Sequence, residues 1–141
     1  MEIFRDIEMP EGLSASAWPT VVYTAPVTVE DASFQAVLDA MAKLRALEEP
    51  LAMILDLRNN NGITPVQRRM ITSSMAEREG QSVRLLRGLA LVFNSKLMAS
   101  LLTAIFWVRK PPYEVKVCSD LDTAMAWAEE RTTGRRPAVN H

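Results

Sequence analysis

The sequence predicts one α/β layered domain, a small mixed sheet of about five strands with about four helices. Three observations lead there. Short β-branched or apolar runs alternate with segments of helical periodicity, in the order β, β, α, β, α, β, α, β, α. Two of the runs, residues 51–57 and 89–93, are apolar almost without interruption, as strands covered on both faces are. A chain of 141 residues suits one domain around one core. Residues 1–133 are read as that domain and residues 134–141 as a frayed tail.

Each element has a local reason. Ile3, Phe4 and Ile7 mark a short edge strand, followed by a turn at Pro10–Gly12. Residues 20–27 are β-branched and aromatic, and Pro19 and Pro26 confine them to an edge or short strand. Phe34, Val37, Leu38, Met41, Leu44 and Arg45 recur at spacings of three and four, so residues 30–48 form an amphipathic helix, which Pro50 stops. Residues 51–57 are a buried strand, and Arg58-Asn59-Asn60-Asn61-Gly62 is a turn-rich loop. Thr64-Pro65-Val66-Gln67 opens the next helix: threonine caps, proline takes the first turn, and glutamine completes the capping box. That helix runs to about Glu79, and Gly80 ends it.

Leu89–Phe93 is the next buried strand, and Lys96–Val108 the next helix, ended by Pro111-Pro112. Tyr113–Cys118 alternates Val115 and Val117 with Glu114 and Lys116, so one face is the wetter. Ser119-Asp120-Leu121-Asp122 reads as a capping box for a last helix from Asp120 to Thr132. On that helix Trp127 is expected to pack in the core or at its rim. Cys118, closing a strand, is expected to be a small buried hydrophobe.

Composition excludes several functions. With 48% hydrophobic and 23% charged residues the chain is neither disordered nor a disulfide scaffold. One cysteine and one histidine, His141, rule out a Cys/His zinc cluster and argue against Ser-His or Cys-His catalysis. No glycine-rich phosphate loop or nucleophile-elbow motif occurs, so no catalytic residue, cofactor or metal is assigned. The longest uncharged apolar stretch, residues 97–108, is too short for a transmembrane segment. No signal peptide opens the chain, and a cytoplasmic location is expected. Charge is uneven: residues 1–57 carry 10 acids and 3 bases, residues 58–116 carry 3 acids and 10 bases. The basic middle either attracts an acidic partner or is neutralised within the fold. Specific nucleic-acid binding is not expected, because no recognition motif or aromatic-interleaved basic stripe is present.

The runs Ile54-Leu55-Asp56-Leu57-Arg58, Gly88-Leu89-Ala90-Leu91-Val92-Phe93 and Val115-Lys116-Val117-Cys118-Ser119-Asp120, the last leading into Ala124-Met125-Ala126-Trp127, carry a resemblance. Over residues 18–132 the chain resembles the STAS domain in its bacterial SpoIIAA-like branch. The resemblance implies a non-enzymatic switch that binds a protein, and for some members a nucleotide or a lipid. In the anti-sigma antagonist branch a serine opens the helix after the central strand and is phosphorylated. Here Asn60-Asn61-Gly62-Ile63-Thr64-Pro65 replaces the expected Asp-Ser-Ser-Gly run, and Thr64 is the nearest hydroxyl.

Two surfaces are the candidate sites. The first is the loop carrying Arg58, Asn59, Asn60, Asn61 and Thr64, with Arg68 and Arg69 one turn further on. It lies where α/β sheets gather ligands and where a helix N-terminus favours anions. Equally, the asparagines form turns, Thr64 caps, and the arginines line a solvated helix face. The second surface is the helix from Lys96. Only Lys96, Ser100, Thr103 and Trp107 form a thin polar stripe on it, and Met98, Leu102, Ile105, Phe106 and Trp107 offer an interface. Either a homodimer mate, a target protein or lipid covers this helix, or the N-terminal segment does. The leading expectation is therefore a regulatory protein-binding module. The alternative is a lipid or small apolar-ligand carrier of CRAL-TRIO type. A hydrolase built on Asp56 ranks last.

Overall fold

The computed structural model describes residues 7–77, 85–93 and 113–133. Five strands and three helices lie in this part of the chain: β1 Leu13–Ala17, β2 Thr20–Thr24, α1 Asp31–Arg45, β3 Leu51–Asp56, α2 Pro65–Glu77, β4 Leu86–Val92, β5 Val115–Cys118 and α3 Leu121–Thr133. The expected helix from Lys96 to Val108 lies outside the described residues, as do residues 134–141.

The strands stand in the sheet in chain order, β1-β2-β3-β4-β5. β1 and β2 form an antiparallel hairpin; β2, β3, β4 and β5 run parallel. The sheet is therefore mixed, and α1 lies between the parallel strands β2 and β3 and α2 between β3 and β4, as parallel crossovers require. β3 sits at the centre. Its run of apolar side chains is buried on both faces, apart from a half-buried Leu55, which is why it lacks the alternation of a one-sided strand.

Alternate residues of the same strands feed two different layers. Val21 and Tyr23 of β2, Leu51 and Met53 of β3, and Leu89 and Leu91 of β4 face α1, where Val37, Ala40, Met41 and Leu44 complete a large core. The other face shows Ala52, Ile54, Ala90, Val92 and Cys118 to α3, which answers with Ala124 and Ala128. α3 crosses β2, β3, β4 and β5 on that face.

Four sequence expectations change. The first strand is Leu13–Ala17; Ile7 lies in a bend, and residues 1–6 are outside the described part. Leu-Ser-Ala-Ser-Ala has little strand propensity of its own, and pairing with β2 forms it. β2 is short as expected but internal, between β1 and β3, because both prolines fall outside Thr20–Thr24 and leave its ladder donors intact. β4 starts at Leu86, earlier than Leu89, since Leu86 pairs with Leu51 and the ladder shifts register past Arg87 to pair Gly88 with Ala52. In β5 the apolar alternation misleads. Val115 is half-buried, Val117 is 59% exposed, and it is Cys118 that is buried, because α3 covers the opposite face.

Candidate functional site

The parallel strands end level with one another. Thr24 pairs with Asp56, Asp56 with Val92, and Val92 with Cys118, so one row crosses the carboxyl edge of the sheet. Backbone bonds carry the ladder slightly further: Ala25 N–H donates to Asp56 O at 3.0 Å and Leu57 N–H to Val92 O at 2.7 Å. The loops after β2, β3 and β5 leave from this row and hold the candidate residues.

Asp56 is buried, at 5% exposure, and would be costly there without a partner. Arg58 supplies it. Its Nε donates to Oδ1 at 2.9 Å and its Nη2 to Oδ2 at 2.8 Å, a two-pronged contact, and its backbone N–H reaches Oδ1 at 3.3 Å. These hydrogen bonds hold the Asp56 carboxyl below the usual carboxylate range, against the opposing effect of burial. Arg58 in turn is pushed above its ordinary value, first by Asp56 and further by the nearby charges of Asp120 and Asp122. Its fork is thus engaged within the fold by Asp56, through both carboxylate oxygens.

The rest of the loop is tied to the segment after β2. Asn61 N–H donates to Val27 O at 2.9 Å. Asn60 Nδ2 donates to Pro26 O at 2.8 Å, and its Oδ1 accepts from Gly62 N–H at 2.9 Å. Asn61 Nδ2 reaches Thr28 Oγ1 at 3.3 Å. Gly62 has φ +128°, a backbone conformation that favours glycine, and this lets the loop turn back toward α2. Asn59 is exposed, and so are Val27 and Val66 at the two sides of this junction.

The capping box forms as the sequence predicts. Gln67 N–H donates to Thr64 Oγ1 at 3.0 Å, and Thr64 N–H donates to Gln67 Oε1 at 3.2 Å. Gln67 does more than complete the box. It is 2% exposed, and its Nε2 donates to Val29 O at 2.7 Å and Asp31 Oδ1 at 3.1 Å. One buried amide therefore joins the starts of α1 and α2. The Thr-x-x-Gln spacing could have flagged Gln67 as a cap; its second set of partners lies 36 and 38 residues away and has no local signal. Arg68 is half-buried and Arg69 exposed on α2.

At the head of α3 the cap is Asp120, one residue later than expected. Its Oδ1 accepts from Thr123 N–H at 2.7 Å and its Oδ2 from the Thr123 hydroxyl at 3.1 Å. Aspartate outbids Ser119 because both of its oxygens find donors on the same residue. Met98, Leu102, Ile105, Phe106 and Trp107 lie outside the described residues.

No family model matches the chain, and no curated protein matches it. Among solved structures it is similar to the crystal structure of an uncharacterized protein of the DUF3478 family with a SpoIIAA-like fold from Shewanella loihica PV-4. The two are 13% identical, with a TM-score of 0.61 over 83% of this chain and 90% of that one. The fold is SpoIIAA-like. The expectation drawn from the strand and cap motifs is thereby met at the level of fold. Among the described residues, no helix of this SpoIIAA-like chain is long and apolar enough to cross a membrane. No three His, Cys, Asp or Glu side chains among them converge as a metal would need.

Proposed function

We propose that this SpoIIAA-like domain is a non-enzymatic regulatory module that acts by binding a protein through the loop from Arg58 to Arg68. One observation carries the reading: the chain's own hydrogen bonds hold the loop in one shape, yet Asn59, Asn61 and Val66 stand exposed on it. A surface ordered before contact loses little entropy on binding. Val27 and Val66 add apolar area beside exposed amides, the mixture that protein interfaces use.

Native mass spectrometry of gently purified protein, followed by the same sample denatured, tests this. A protein complex or homodimer that Asn59→Asp together with Val66→Glu dissociates, with the variant still folded, is the expected result. Assembly unchanged by both substitutions overturns the loop reading. A small non-covalent adduct lost on denaturation points instead to the apolar-ligand carrier.

A further inference from the structure

The two layers of the fold are built from unequal materials. α1 inserts Val37, Met41 and Leu44 into the sheet, whereas α3 buries fully only Ala124 and Ala128. Methyl groups bury far less apolar surface than leucine side chains do. Leu121, Met125 and Trp127 add half-buried contacts to this layer, and polar ties stand at the two ends of α3. Asp120 caps its start. Trp127 lies against Gly88, so close that a β-carbon at that position would come within 2.5 Å of the ring. Arg131 stacks 5.5 Å from the centre of the Trp127 ring, pairs with Glu114 before β5, and donates through Nε to Arg87 O on β4 at 3.4 Å. Arg131 and Glu114 are both substantially exposed, so this clasp is reachable by solvent.

We propose that α3 is a releasable cover, opening as a unit from the sheet while α1 and the leucine-rich layer stay folded. Elements that open before the rest are those with few buried apolar contacts and solvent-exposed ties. Release uncovers Ala52, Ile54, Ala90 and Val92, and with them Cys118, which is 6% exposed when α3 is closed.

Cys118, the chain's one cysteine, reports the opening directly. The full chain is mixed in native conditions with a thiol-reactive aromatic disulfide, and labelling is followed across a denaturant series below the unfolding transition. Labelling is expected to depend on denaturant much less steeply than global unfolding does, because less surface is exposed. Arg131→Ala should speed labelling about fivefold, from the loss of a stacked cation and an exposed ion pair. Val37→Ala, on the opposite layer, should lower the global unfolding midpoint and leave labelling in water unchanged. Labelling with the same denaturant slope as global unfolding overturns the proposal. So does a Val37→Ala variant whose labelling accelerates in step with its lost stability, and so does Arg131→Ala with no effect. The slope measurement needs no variant and decides the matter even if one fails to fold.

Discussion

The two faces of the sheet come from the same strands, yet they are packed by different rules. On the α1 face the strands present Leu51, Met53, Leu89 and Leu91; one residue along, on the α3 face, they present Ala52, Ile54, Ala90 and Val92. The first face is filled by large side chains reaching across from a helix. The second is thin, so α3 approaches closely and its tryptophan meets a glycine. Burying a leucine contributes roughly 1.5–3 kcal/mol, against about 0.8 for each methylene-sized group. Stability therefore resides mostly in the first layer, and the second is free to respond to what happens at its ends.

The largest expected effect breaks the first layer. Leu44 is fully buried in it, and Leu44→Ala should cost about 3 kcal/mol by cavity formation, read as a lowered denaturant midpoint. A loss below that of Gly88→Ala would reverse the ranking of the layers. Gly88→Ala comes next, at about 2 kcal/mol, because the added carbon collides with a rigid ring. Near-ultraviolet circular dichroism should change with it, and Trp127→Ala in the same chain should recover part of the loss. If the single variant matches the parent in both measurements, α3 does not sit as close as described.

Asp120→Ala is smaller and local. It should speed amide exchange in the first turn of α3 and leave α1 untouched; uniform acceleration would mean that the layers open together. The smallest effect concerns acid. Arg58 depresses the folded-state value of Asp56, so the carboxylate's contribution is fully present above the ordinary carboxylate range, about pH 4. It is lost as pH falls below that range through the depressed folded value. Stability against pH should thus fall less steeply at the acid end in Asp56→Asn than in the parent, and equal slopes would show that the pair contributes nothing.

Much of this was legible along the chain. β3, α1, the capping box at Thr64 and the strand-to-helix transition at Cys118–Leu121 follow from apolar runs, helical spacing and caps, each of which acts over a few residues. β1 was hidden, because serine and alanine become a strand only when Tyr23 and Val22 lie opposite. At the candidate site, the sequence points to Arg58, the asparagines and Thr64. It does not show that Asn60 and Asn61 hold the loop after β2, or that Gln67 reaches Val29. Hydrogen bonds to residues more than thirty positions away leave no mark on local pattern.

By itself, then, the sequence determined the alternation of strands and helices, the central buried strand and the helix starts, because periodicity and capping are properties of neighbours. The tertiary structure alone decided which strand lies inside the sheet, that Gln67 joins two helices, and that Gly88 makes room for Trp127. Those outcomes depend on which distant groups meet, and burial then penalises every polar or bulky group that fails to fit.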